Sequence, residues 1–344
     1  MSLFKRFLFP VAVVSLGSVL AACSAETTDG PTDDGASEDS LTNRENGAAD
    51  AMFFAAFNAG DYNRIPVLLR QFGGSKAPDR VVELRALTHA WAAAEVVRTP
   101  GTNTKEQLAA KANADAMQTL NLLGELRANK RVDPTVSIVD LSLGLSHLAV
   151  ARIAQQSGNM AAAAASIPKA IAALDEGVKN NPFNSLLPRG AVLANLARDP
   201  AGVEKGLNDF VTLFNTCLDE VKPFTRETIT SLSADQMLRM ENLAGRTGTI
   251  RACANSAKAP HNIEGTFLFM GDILAKAGEE GLAVKAYKSA QRVSTYGRWS
   301  HRDTLESRIR DAKARVGSYK DGDPANDAMV GPAQSAACGT CHVK

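Results

Sequence analysis

The sequence predicts an all-α protein in which antiparallel helical hairpins form an α-solenoid-like array. From about residue 42 to residue 318 the chain is rich in alanine and leucine, and its apolar residues recur at helical spacing. Alternating apolar and polar runs, which are typical of half-buried strands, are almost absent. Glycine, proline and asparagine interrupt the pattern at intervals that suit short turns between helices. We therefore expect one helical domain over residues 42–318.

Residues 1–22 have the composition of an export signal. Lys5 and Arg6 form a short basic region before an apolar stretch over residues 7–20. This stretch is too short, and too quickly followed by polar sequence, to be a membrane-spanning helix. We therefore expect the chain to be exported from the cytoplasm.

The signal ends in Leu20-Ala21-Ala22-Cys23-Ser24, which resembles the lipobox of bacterial lipoproteins. The resemblance implies cleavage before Cys23 and acylation of its thiol, so that a lipid anchor alone holds the protein to a membrane. Ser24 in place of aspartate implies sorting to the outer membrane, on the side that faces the periplasm. An ordinary cleaved signal followed by an unmodified cysteine is the alternative.

Residues 23–41 predict a disordered tether between the lipid and the folded domain. Between residues 24 and 40 the chain has six acidic residues and no basic residue, and glycine, proline, serine and threonine fill most of the rest. Such a composition cannot bury enough apolar surface to fold. The acidic residues are Glu26, Asp29, Asp33, Asp34, Glu38 and Asp39.

Turn residues divide the body into a series of predicted helices. Gly-Asp, Gly-Gly, Thr-Pro-Gly, Asp-Pro, Gly-Asn and Asn-Asn-Pro sequences mark the main boundaries. Helices are predicted near residues 45–58, 62–72, 78–97, 104–128, 134–156, 160–179, 184–197, 200–220, 233–243, 262–277, 280–294 and 300–317.

Two of these predicted hairpins carry a family resemblance. One set of residues has spacing similar to the tetratricopeptide repeat, in which small residues let two antiparallel helices approach closely. A second set fits more weakly. The resemblance implies a stack of αα-hairpins and a class of protein that binds proteins or peptides; an irregular helical bundle is the alternative. The first set is Phe267, Gly271, Leu274, Gly278, Ala283, Tyr287 and Ala290; the second is Ala151, Gly158, Ala163, Ile167 and Ala170.

The tail, residues 319–344, contains Cys338-Gly339-Thr340-Cys341-His342, which has the spacing of a c-type haem attachment site. Cys338 and Cys341 would form thioethers to one haem c, and His342 would be the proximal iron ligand. A disulfide between the two cysteines remains an alternative. A thioredoxin-like pair would require a βαβ unit, and a zinc site would require a second cysteine pair. Export favours the haem interpretation, because bacterial haem c is attached outside the cytoplasm.

A sixth iron ligand is expected from the chain before the motif, since only two residues follow His342 in this sequence; a five-coordinate iron is the alternative. Met329 is the nearest candidate, and His261 and His301 are the alternatives; each could instead be a packing or surface residue. His89 and His147 lie in apolar helical sequence and are expected in the core.

Cys217 and Cys253 are the remaining cysteines, 36 positions apart. In an oxidising compartment, an even pair is most simply a disulfide. Two buried thiols are the alternative.

The sequence narrows the function to a few classes. A formal net charge of +1 gives no reason to expect nucleic acid as a partner. Hydrolase and phosphate-loop motifs are absent, and a di-haem peroxidase would require a second haem motif. We predict an envelope-anchored monohaem c-type lipoprotein that exchanges electrons with an envelope redox protein. The alternative is a non-enzymatic tetratricopeptide-like scaffold or ligand-binding lipoprotein with no haem, or with a purely structural one.

Overall fold

The computed structural model describes residues 38–58, 61–74, 77–98, 105–129, 139–156, 158–218, 222–242, 263–299, 301–321 and 327–331. Within these ranges the chain is all-α and contains no strand, as the sequence predicts. Two 3₁₀ turns, Tyr62–Arg64 and Tyr296–Arg298, accompany the helices.

Fourteen α-helices lie in the described residues, and their order follows the predicted series closely. They are α1 (Glu38–Asn58), α2 (Ile65–Gln71), α3 (Asp79–Arg98), α4 (Lys105–Ala128), α5 (Val139–Gln156), α6 (Met160–Asn180), α7 (Pro182–Leu196), α8 (Pro200–Leu218), α9 (Arg226–Ile229), α10 (Ala234–Asn242), α11 (Ile263–Lys276), α12 (Glu280–Ala290), α13 (Arg302–Arg310) and α14 (Ala312–Lys320).

Neighbouring helices pack as hairpins, which confirms the predicted architecture. The most extensive contacts join α3 to α4, α5 to α6, α7 to α8, and α11 to α12. The last three pairs are linked by only three residues each, so their helices must run antiparallel.

The turns of the two tetratricopeptide-like hairpins share one geometry. Gly158 and Gly278 have φ angles of +78° and +85°, which glycine adopts without steric cost. The next amide in each turn, that of Asn159 or Glu279, donates to a carbonyl five residues earlier, at 2.8 and 2.9 Å. This bonding closes a helix C-terminus in a Schellman motif. Gly158 and Gly278 in the sequence therefore mark the C-terminal ends of two helices.

Helix α11 is the central helix of the C-terminal half. Every residue from Ile263 to Ala275 is buried, in contact with α7, α8, α12 and α14. Phe210, Phe214 and Phe267 lie in the surrounding apolar core, which also includes Val330 of the tail. A separate aromatic core, formed mainly by α1 and α3, occupies the N-terminal half. An acid placed anywhere along the middle of α11 is therefore inside the protein.

Several predicted boundaries were wrong. Helix α1 begins at Glu38, seven residues before the predicted start near residue 45; acidic residues are favourable in a first helical turn. The helix predicted over 280–294 ends at Ala290 and is followed by turns. The short helix α9 was not predicted at all.

The helix predicted over residues 300–317 is divided at Asp311 into α13 and α14. Asp311 has φ −103° and ψ 15°, and its amide donates to the Ser307 carbonyl at 2.9 Å. In a straight helix, Arg308 and Arg315 would be about 10 Å apart along the axis. The break instead favours convergence of the two side chains on one point.

Candidate functional site

Most of the residues predicted to hold haem or lipid fall outside the described part of the chain. Cys217 is described: it is buried at the end of α8 and is disulfide-bonded. Its partner lies outside the described residues, so pairing with Cys253 stays a prediction. The predicted residues outside the described ranges are Cys23, Cys253, His261, Cys338, Cys341 and His342.

The described residues nearest to the haem motif form a segment, residues 327–331, that is bound to the helical body. We call it the docked segment. Its main chain meets side chains from three helices: Asn195 of α7, Asp272 of α11, and Arg315 and Tyr319 of α14. We call these four side chains the tail clamp. The tail thus returns to the core ahead of the predicted motif.

The tail clamp binds main-chain atoms at four consecutive residues. Tyr319 Oη donates to the Ala328 carbonyl at 2.6 Å, and Arg315 donates to the Met329 carbonyl. Asn195 accepts from the Val330 amide at 2.9 Å and donates to the Val330 carbonyl at 3.2 Å. All of these hydrogen bonds are to main-chain atoms, so the side chains at these positions affect the contact only through packing and backbone conformation.

Asp272 completes the tail clamp at the next residue and is itself fully buried. Its Oδ2 accepts a 2.8 Å hydrogen bond from the Gly331 amide, while its Oδ1 accepts one of 2.7 Å from Tyr287 Oη. Arg308 Nε and Arg315 Nε lie 3.2 and 3.0 Å from Oδ1, at ion-pair distance. One carboxylate therefore ties α12, α13, α14 and the docked segment to α11.

Position 331 requires glycine. Gly331 has a φ of +94°, which side-chain-bearing residues rarely adopt. A Cβ atom there would also lie 2.3 Å from Cε1 of Phe269. Val330, one residue earlier, is 2 % exposed and belongs to the C-terminal core. Backbone conformation and packing together set the path of the tail at this point.

Cationic groups surround the docked segment. Lys276 Nζ lies 3.7 Å from Asp327 and 5.6 Å from the centre of the Tyr319 ring, and the Arg315 guanidinium lies 5.5 Å from the same ring centre. Burial lowers the pKa of Lys276, although Asp327 opposes this. Burial and the nearby Asp272 carboxylate raise the pKa of Tyr319, which therefore remains a neutral hydrogen-bond donor.

The predicted sixth ligands that are described lie in different settings. Met329 is part of the docked segment, with a partly buried side chain and a main-chain carbonyl that Arg315 holds. His301 precedes α13 and packs edge-on against Trp299, with 5.6 Å between ring centres. Burial lowers the pKa of His301, which favours the neutral imidazole. Both remain predicted iron ligands.

His89 and His147, expected in the core, are only partly buried. His89 Nδ1 lies 2.8 Å from an Asp115 carboxylate oxygen, so a polar partner between α3 and α4 draws it out of the apolar interior. His147 lines a cleft of about 560 Å³ between α5 and α6, together with Lys169. Burial, and then the charge of Lys169, lower the pKa of His147. Both histidines therefore lie at the boundary between the core and the solvent.

Glu264 is a second buried acid in α11, and it differs from Asp272. Its Oε1 accepts from Thr295 Oγ1 at 2.5 Å, whereas its buried Oε2 has no hydrogen-bond partner within the described ranges. Burial raises the pKa of Glu264, against the opposing effect of the Thr295 hydroxyl. A raised pKa means that the folded state favours the protonated acid.

We expect Glu264→Gln to gain stability relative to wild type as the pH rises. The contribution of a raised carboxyl pKa is full below the ordinary value of 4.5 and is lost as pH climbs through the raised value. The variant should therefore exceed wild type by about 1–3 kcal/mol near pH 8 and by much less near pH 4. Urea unfolding across this pH range measures the difference. Glu280→Gln, at an exposed position, is the control; a pH-independent difference for Glu264→Gln would contradict the account.

No family model, curated protein or solved structure matches the chain. Within the described ranges, no helix is both long and apolar enough to cross a membrane. The same part of the chain contains no cluster of three or more histidine, cysteine, aspartate or glutamate side chains suited to a metal ion.

The residues of the tail clamp were not predicted from the sequence. Asp272 did leave a signal, because it is the one acid within the apolar run Phe267 to Ala275. Arg308 and Arg315, seven positions apart, suit the same helical face and are natural partners for a buried acid. Asn195 left no comparable signal.

Proposed function

We propose that the chain is an exported, lipid-anchored monohaem c-type protein that passes electrons to or from a docked partner protein in the cell envelope. The observation that carries the proposal is the spacing Cys338-Gly339-Thr340-Cys341-His342 in a chain whose first 23 residues resemble a lipoprotein signal. Haem c would supply one-electron chemistry at the iron. Cys23 would keep the protein at the membrane, on the periplasmic side of the outer membrane.

Some residues of the chain would attach the haem, and others anchor the tail that would carry it. Cys338 and Cys341 would hold the haem covalently, and His342 would bind the iron. The docked segment supports this arrangement, since its last residue, Gly331, precedes Cys338 by seven positions. Seven residues span at most about 25 Å, so the motif would lie within that distance of Gly331. Met329 is then the nearest candidate for the sixth ligand, with His301 and His261 as alternatives.

Haem staining tests the proposal. The protein, exported with its own signal in a host that matures c-type cytochromes, should give a haem-positive band on a denaturing gel. Replacing both Cys338 and Cys341 with serine should abolish the stain completely, because the haem then has no thioether bonds. Cys217→Ser is the matched control and should retain the stain. A correctly exported but colourless wild-type protein would contradict the proposal.

A scaffold or ligand-binding lipoprotein is the second candidate function. The cleft between α5 and α6 favours this function, because two polar side chains that could contact a ligand, His147 and Lys169, line the cleft. The neighbouring acid Asp175 is instead paired with Arg189 at 3.0 Å. A colourless protein that is exported, folded and recovered with an envelope partner would support this function over electron transfer.

A further inference from the structure

The tail clamp reaches the docked segment with buried polar groups. Asn195 and Asp272 are 3 % and 0 % exposed, and each directs hydrogen-bonding atoms at Val330 or Gly331. Asn195 is also held in place by a 3.0 Å hydrogen bond to the Ala191 carbonyl of its own helix. Its side chain is therefore oriented for the tail by the helix that carries it.

Asp272 is arranged in a similar way. Tyr287, Arg308 and Arg315 all gather at Oδ1, which leaves Oδ2 to the Gly331 amide. If the docked segment left, Asp272 Oδ2 and Asn195 Oδ1 would lose their hydrogen-bond donors, while Asn195 Nδ2 would keep the Ala191 carbonyl. Buried polar groups without partners are costly, so the bound state is strongly favoured. The clamp is thus built to hold this stretch of chain.

Holding the chain at Gly331 changes how far the predicted haem motif can move. Without the clamp, the last anchored residue is Lys320 at the end of α14, and the eighteen residues to Cys338 could span about 60 Å. With the clamp closed, the span is about 25 Å. Because volume scales as the cube of the span, the volume open to the motif then falls by about fourteenfold.

We infer that Asn195 and Asp272 are positioning residues that bind the main chain of Val330 and Gly331 and thereby keep the predicted haem motif within about 25 Å of the helical body. The inference rests on the proposed function, because the haem that it positions is the haem that the proposed function requires. It shortens the tether between the helical body and the predicted haem motif from eighteen residues to seven.

Two amides report directly on the clamp, whether or not haem is present. The Val330 and Gly331 amides donate to Asn195 and Asp272, so both should be protected from hydrogen exchange in the full-length mature protein. Gly331→Ala should speed their exchange by about tenfold or more, since alanine resists a positive φ and its Cβ would meet Phe269. Asn195→Ala, which leaves the backbone unstrained, should act in the same direction. Gly297→Ala is the control, because its Cβ would meet nothing within 4 Å.

The haem reduction potential supplies the second readout. If the clamp holds haem at the body, Gly331→Ala and Asn195→Ala should lower the potential, since greater contact with water favours the ferric state. The Gly297→Ala potential should equal that of wild type.

The outcomes separate the inference from the proposed function. Fast exchange of both amides in wild type would overturn the clamp itself. Accelerated exchange in both variants with an unchanged potential and visible spectrum would overturn the positioning role while leaving haem attachment intact. A colourless wild type with protected amides would overturn the proposed function, and the positioning role with it.

Discussion

Replacing Asp272 with alanine is expected to lower the free energy of unfolding by about 3–5 kcal/mol, because removing one partner of a buried ion pair leaves the other charges uncompensated. Arg315 has a side chain only 6 % exposed and sits 3.0 Å from the carboxylate, with Arg308 close by. The loss would also deprive the Tyr287 hydroxyl and the Gly331 amide of their acceptor. The substitution would therefore weaken the attachment of α12, α13, α14 and the docked segment to α11.

Urea unfolding followed by circular dichroism measures this loss. Asp303→Ala is the matched control: its side chain is 98 % exposed and lies 3.9 Å from Arg302, so the change should stay within about 0.5 kcal/mol. A loss below about 1 kcal/mol for Asp272→Ala would show that the buried cluster does not stabilise the fold.

Gly271→Ala is expected to destabilise the protein by about 3 kcal/mol, at the upper end of the usual range for overpacking. A Cβ at this position would lie 2.2 Å from Cε1 of Tyr287, well inside contact distance. Tyr287 is fully buried and its hydroxyl is bonded to Asp272, so the ring cannot turn aside without breaking that bond. The hairpin of α11 and α12 would have to separate instead.

The same substitution at Gly317 provides the control for Gly271→Ala. Gly317 lies within α14 and is exposed, and a Cβ atom added to it would meet no other atom within 4 Å. Alanine there should stabilise the protein by about 0.5–1 kcal/mol through helix propensity. Equal effects of the two substitutions in thermal unfolding would contradict the close approach of α11 and α12.

The hairpins were predictable because their signals are local. Gly158 and Gly278 close helix ends within a few residues, and Gly271 sits under Tyr287 at the spacing that antiparallel helices require. The division at Asp311 was missed for the opposite reason. No glycine or proline marks it, and the convergence of Arg308 and Arg315 on Asp272 supplies its tertiary support.

The tail clamp could not be predicted from spacing. Asn195 and Val330 are 135 positions apart, and Asp272 and Gly331 are 59 apart. Its contacts are to main-chain atoms, which leave no pattern of side chains in the tail beyond a single glycine. The sequence predicted an irregular tail, and the structure binds residues 327–331 of that tail to the helical body, with Val330 and Gly331 buried. Chemistry at Cys338, Cys341 and His342 remains a prediction of the sequence.

The mass of the mature protein, purified from the membrane fraction, tests the central claim most directly. We predict a chain that begins at Cys23, carries the added mass of its lipid, and carries one haem on the C-terminal peptide that contains Cys338 and Cys341. That peptide should lose the haem mass when both cysteines are serine. A mature wild-type chain with an unmodified C-terminal peptide, or with Cys338 and Cys341 joined only as a disulfide, would contradict the account.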